Sequence, residues 1–183
     1  MKLTSLLHRS RGFQARLEDC RTPLFRVAHA WCHDRAVADD LAQETLAKAL
    51  ERADQLRDPE RLRSWLFGIM ANCWRDHLRA ARPTVDIDAL DDECVDGAPT
   101  PDEACGRAQI VERVRSAVAR LPVGQRQTLT LVDLEEFSYA EVAAILDVPI
   151  GTVMSRLCRA RLALRDQLRQ SNVAPLPRLR SAK

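Results

Sequence analysis

One stretch of the chain constrains everything around it. Residues 83–103 hold Asp86, Asp88, Asp91, Asp92, Glu93, Asp96, Asp102 and Glu103, and no Lys or Arg. Pro83, Gly97, Pro99 and Pro101 lie among them. Like-charge repulsion, proline and glycine all oppose a packed element there. The chain is therefore expected to fold as two pieces, one on each side, each large enough for one small domain. The whole chain carries +2, so the −8 of this stretch leaves the remainder at +10. Two readings of the acid stay open. It is a solvated spacer, or it is a strand that lies in a basic channel built for nucleic acid.

Both pieces read as helical. Leu and Ala number 49 of the 183 residues, against 26 Val, Ile and Thr, with only 6 Gly and 8 aromatics. Leu and Ala lose little entropy in a helix, whereas β-branched residues fit strands better. The expectation is an all-α fold of two small helical domains joined by a flexible acidic linker. A β-sandwich and a Gly-rich nucleotide-binding α/β fold are excluded. No apolar run approaches the roughly 20 residues that span a bilayer. The N-terminus meets His8, Arg9 and Arg11 too early for a signal peptide, so membrane insertion is not expected and the location is expected to be cytoplasmic. Arg outnumbers Lys 25 to 3. Arg forks onto phosphates and guanine edges, although codon bias gives the same excess.

Six cysteines stand at 20, 32, 73, 94, 105 and 158, never as C-x-x-C. Free thiols are expected. His29, Cys32 and His33 are a partial ligand set without a fourth member, so a structural role is the stronger reading. Cys94 and Cys105 lie in or beside the acidic stretch, where a thiol could be exposed. No nucleophile–base set, phosphate loop or complete metal site stands out, so no catalytic residue, metal or cofactor is expected.

In the first piece Leu24, Val27, Ala28 and Trp31 recur at helical spacing, then Val37, Leu41, Leu46 and Leu50 after a break at His33–Asp34. Leu62, Trp65, Leu66, Ile69, Met70 and Cys73 make the clearest stripe, on a helix expected from about Pro59 to Ala81. Gly68, Asn72, Arg75, Asp76 and Arg79 share its other face, with Arg61 and Arg63 near its start and Arg82 at its end. That face is a solvated polar surface or a DNA-reading one. Asp39, Asp40, Gln43 and Glu44 cluster on the middle helix. They complement the helix dipole or face a partner.

In the second piece Ile110, Val114, Ala117 and Leu121 mark a helix ending at Pro122, and another is expected from about Gly124 to Leu134 with Leu129 and Val132 inward. Ser138-Tyr139-Ala140-Glu141 is a capping box, with Phe137 and Val142 placed as a hydrophobic staple. Asp147-Val148-Pro149-Ile150-Gly151 breaks that helix. The next buries Val153, Leu157, Ala160 and Leu164. Two helices joined by a tight turn read as a helix-turn-helix. Thr152, Ser155, Arg156 and Arg159 share the opposite face near the end that enters a major groove, and Arg161, Arg165 and Arg169 extend its basic character.

These residues resemble bacterial extracytoplasmic-function (ECF) sigma factors of the sigma-70 family. Leu41-Ala42-Gln43-Glu44 after an aspartate is similar to the family's D-L-x-Q-E signature. Arg63-Ser64-Trp65-Leu66-Phe67 with Asn72, Asp76 and Arg79 resembles its second region 2 pattern. Leu121-Pro122, Arg126, Ser138–Ala143 and Gly151-Thr152-Val153 with Ser155-Arg156-Leu157 resemble region 4. The resemblance covers roughly residues 10–170, in order.

The resemblance implies a subunit that binds core RNA polymerase and directs promoter recognition, in a stress response under an anti-sigma factor. It implies region 2 over 10–82, a linker over 83–105 and region 4 over 106–170; the tail over 171–183, with Pro175 and Pro177, is expected to be disordered. Asp40, Gln43 and Glu44 would bind the polymerase β′ subunit, and region 4 would dock on β. The loop at Ala53–Asp58 would hold a flipped base of the −10 element, with Asn72, Arg75, Asp76 and Arg79 on the rest of it. Trp65 and Trp74 are candidate stacking partners, although Trp65 belongs to the apolar stripe. Thr152, Ser155, Arg156 and Arg159 would read the −35 element. The acidic stretch would thread toward the polymerase active centre. Met154, Cys158 and Gly68 depart from the family's usual residues and bear on which promoter is read. The alternative function is a sigma-like decoy that binds a regulator without recognising promoters.

Overall fold

The structure is a computed structural model that describes the backbone over residues 3–81 and 106–170, and side chains over 12–81 and 110–169. The expected acidic linker with Cys94 and Cys105, Arg82, and the expected disordered tail lie outside the described residues. Among the described residues every element is helical. The expected all-α class is what the chain has.

The first half is α1 (Leu3–Cys32), α2 (Arg35–Glu51) and α3 (Leu62–Ala81), packed on one another. The break between α1 and α2 falls where expected. His33 takes a left-handed backbone (φ 56°), and the Asp34 carboxylate caps α2 by accepting from the amides of Ala36 and Val37, at 2.7 and 3.1 Å. The buried stripe of α2 is Ala38, Leu41, Ala42, Thr45 and Ala49. Leu50, expected inside, is 48% exposed. One residue past Ala49 is about 100° around the helix, which turns Leu50 out of the stripe. Pro59 opens not α3 but a short 3₁₀ turn, Pro59–Arg61, capped by Asp58, and the α-helix starts at Leu62.

The second half is α4 (Gly106–Ala119), α5 (Val123–Leu129), α6 (Tyr139–Leu146) and α7 (Ile150–Gln170). The helix expected to run from Gly124 to Leu134 changes character at its end, where Thr130–Leu134 form a π turn. The Thr128 and Thr130 hydroxyls donate back to the carbonyls of Gly124 and Arg126, at 2.8 and 2.9 Å. Such back-bonding loosens and bends a helical ladder. The capping box is formed: the Glu141 amide donates to Ser138 Oγ, and the Ser138 amide donates to Glu141 Oε2. Asp147, left-handed at φ 56° and ψ 50°, ends α6 and begins the turn into α7.

The two halves touch directly. One apolar cluster runs from Leu24, Trp31, Leu66, Phe67 and Met70 in the first half to Leu131, Phe137, Val142, Ile145 and Val153 in the second. A smaller cluster of Leu121, Leu129, Leu157 and Ala160 holds α5 and α7 together.

Candidate nucleic-acid interface

The polar face of α3 is present as read. Asn72, Asp76 and Arg79 are exposed and Arg75 is half-buried. They form two linked pairs: Arg75 donates to Asn72 Oδ1 at 2.9 Å, and Arg79 to Asp76 Oδ1 at 3.5 Å. Arg75 also donates to the Leu146 carbonyl at the end of α6, at 3.3 Å. Arg63 leaves this face and turns toward the second half.

Beside Asn72 opens a cavity of about 860 Å³. One wall is Arg52, Gln55–Asp58, Arg61, Ser64, Trp65, Gly68 and Asn72. The other is Ala140, Glu141, Ala144 and Ile145 of α6. The short turns before α3 bring a carboxylate and three guanidinium groups to one place, beside the Trp65 indole of α3. Such a mixture suits a splayed nucleotide: cations for phosphate, an aromatic face and amide groups for the base. Trp65 is half-buried on this wall, whereas Trp74 is buried and stacks on His77 at 5.3 Å. Only Trp65 stands where a base could reach it.

On α7, Ser155 and Arg159 are exposed and Thr152 and Arg156 are half-buried, all within the first three turns. Ser155 Oγ donates to the Thr152 carbonyl at 3.0 Å. Met154 (54% exposed) and Ile150 (50%) add apolar surface beside them. Donors with apolar neighbours at a helix N-terminal end match the chemistry of a major-groove edge, where thymine methyls adjoin acceptors. Arg161 is held further along by a two-point bond to Asp133, at 2.5 and 3.2 Å.

Asp40, Gln43 and Glu44 are exposed on α2. Gln43 donates to Asp39 Oδ2 at 2.9 Å, and Lys48 pairs with Glu44 at 2.8 Å. His29, Cys32 and His33 do not assemble as a ligand set. His29 stacks on Phe25, and the Cys32 thiol donates to the Asp34 carbonyl. Among the described residues no three His, Cys, Asp or Glu gather to hold a metal ion, and no helix is long and apolar enough to cross a membrane.

The polar groups that join the halves were not foreseen. Glu135, whose side chain is 0% exposed, accepts from Arg26 and Arg63, each at 2.5 Å. The Arg63 guanidinium lies 4.8 Å over the Phe137 ring, and Phe137 meets Phe67 edge-to-face at 5.2 Å. Trp31 Nε1 donates to Thr130 Oγ1 at 2.8 Å. Arg126, buried, donates to the carbonyls of Trp31, Ala119 and Leu121. The residues themselves gave one weak signal, an Arg and a Glu amid apolar runs, without indicating their partners.

Two family profiles match the chain, one described as Sigma-70 region 2 over residues 17–84 and one as Sigma-70, region 4 over 111–164. The RNA polymerase sigma-H factor of Pseudomonas aeruginosa is 35% identical over 141 residues, covering 72% of this chain and 73% of that protein. The ECF RNA polymerase sigma factor SigC of Mycobacterium tuberculosis is 32% identical over 166 residues, covering 90% and 87%. Among solved structures, the sigma factor RpoE in complex with the anti-sigma factor NepR from Bartonella quintana is similar, with a TM-score of 0.70 and 29% identity over 87% of this chain and 98% of that one.

Proposed function

Because the chain belongs to the ECF sigma factors of the sigma-70 family, we propose that it is an alternative sigma factor. It would bind core RNA polymerase, direct it to a set of promoters, and leave after initiation. The observation that carries this reading is the presence of two separate polar faces, on α3 and on α7, in one chain. The α3 face with its cavity is suited to splayed bases, and the α7 face to a duplex groove. Region 2 spans 10–82 and region 4 spans 106–170 in this reading. Asn72, Arg75, Asp76 and Arg79 engage the −10 element as a single strand. Thr152, Ser155, Arg156 and Arg159 engage the −35 element as a duplex. Asp40, Gln43 and Glu44 offer an acidic patch to the β′ subunit, and region 4 docks on β. The protein supplies no catalysis of its own and works in the cytoplasm, where the polymerase is.

An anti-sigma partner is part of the proposal. The similar RpoE structure is that of a sigma factor held by one. Run-off transcription on a genomic fragment library, with core polymerase with and without this chain, tests the function. New start sites that depend on the chain support it. A chain that binds core or a regulator but yields no new transcripts is a decoy.

A further inference from the structure

We propose that a second cavity, walled by α1, α4 and α7, is a binding site for a small apolar monocarboxylate. It shares no lining residue with the cavity beside Asn72, and the proposal stands whether or not the chain reads promoters.

The cavity measures about 540 Å³, inside the range of pockets that hold one small organic ligand, roughly 300–1,000 Å³. Its apolar lining comes from Phe25 of α1, Val114 and Val118 of α4, Leu129, Leu134 and Leu164. Leu134 is 41% exposed, apolar surface that the fold itself leaves uncovered. A hydrocarbon body against these walls would leave water as they do.

The polar lining is cationic. Arg26 and His29 come from α1, His33 from the turn that ends it, and Arg115 from α4. The His33 amide bonds to the His29 carbonyl at 2.9 Å, so residues four apart reach the same wall. Among the described lining residues the one carboxylate is Asp133, and Arg161 takes both its oxygens, at 2.5 and 3.2 Å. Arg26 gives Nη2 to Glu135, and a guanidinium has five N–H donors. Arg115 stands 3.9 Å from Glu112, beyond hydrogen-bond reach, with its side chain 64% exposed. Burial, then the charges of Arg126 and His29, lower the His33 pKa from 6.5 to about 4. The share owed to those charges reports a positive field, which favours an anion.

The two linings together select the ligand class. A planar carboxylate matches a guanidinium fork. A neutral hydrocarbon would cover these donors without pairing them, and an organic cation would meet like charge. An inorganic anion would leave the apolar walls unused.

Octanoate is the probe, with 1-octanol and octylammonium as neutral and cationic molecules of the same length. Calorimetric titration of the full chain near neutral pH is expected to show saturable one-to-one binding of octanoate, about tenfold or more tighter than 1-octanol. Arg115→Gln removes a mostly exposed cation and is expected to weaken octanoate about two- to fivefold while leaving 1-octanol unchanged. Val114→Trp places an indole in the cavity and is expected to abolish binding. Imidazole resonances locate the ligand: octanoate should shift those of His29 and His33 and leave that of His77, on α3, in place. Selectivity for octanoate together with the His29 and His33 shifts supports the site, and the absence of either overturns it. Equal or tighter binding of 1-octanol or octylammonium therefore counts against it. So does an octanoate affinity unchanged in every variant that folds. Should Val114→Trp fail to fold, Arg115→Gln and the resonances decide. None of these readouts involves DNA or polymerase, so their failure leaves the proposed function untouched.

Discussion

His33 shows how one position serves backbone and charge at once. Its left-handed φ of 56° turns the chain between α1 and α2. Partial burial, then the charges of Arg126 and His29, lower its pKa from 6.5 to about 4. The folded chain therefore resists a proton that the unfolded chain accepts. Stability is full above about pH 6.5, falls as pH drops toward about 4, and loses nothing further from this group below that. Asn tolerates the left-handed region and does not titrate. His33→Asn is expected to flatten the acid loss. Urea midpoints at about pH 7.5 and 5, compared between wild type and variant, check this, and an equal fall in both would show that other groups govern acid stability.

At the scale of elements, the capping box that starts α6 matters most, because α6 both opens the helix-turn-helix and walls the cavity. The Ser138 hydroxyl and amide hold the Glu141 carboxyl below the usual carboxylate range. Its share of stability is present above the unfolded pKa and is lost as pH falls through the folded one. Ser138→Ala is expected to cost about 1 kcal/mol in denaturant unfolding near neutral pH, with a smaller difference in acid. The N-terminal turns of α7 carry the other element-scale expectation. Arg156→Ala and Arg159→Ala should each weaken binding to a −35 duplex by about 1–3 kcal/mol if they meet bases. A loss that is equal on every duplex sequence would assign them to phosphates. Of the two, Arg159 is the more exposed and is placed for direct contact.

For the molecule as a whole, the exposed acids of α2 and the proposed reading faces of α3 and α7 are separate surfaces, so they should fail separately. Reversing Asp40 and Glu44 to Lys is expected to impair binding to core polymerase while the full chain still binds a −35 duplex. Unchanged affinity in a core titration would remove these residues from that role.

The sequence by itself determined the helices, their breaks and which polar side chains share a face of α3 and of α7. The Asp34 cap, the Ser138–Glu141 box, the Asp147 break and the α3 stripe all rest on interactions within a few residues along the chain, where spacing predicts geometry. Even its errors were local: Leu50 lies one residue off a stripe of small side chains, and the π turn at Thr130–Leu134 follows from hydroxyls that bond backward. Only the tertiary structure decided that the two halves share a core. Glu135 lies 109 residues from Arg26 and 72 from Arg63, and Trp31 lies 99 from Thr130. Periodicity carries no information at such separations. Which charge a buried carboxylate meets is settled by how apolar faces from both halves pack, and that packing is what covers part of the α3 face.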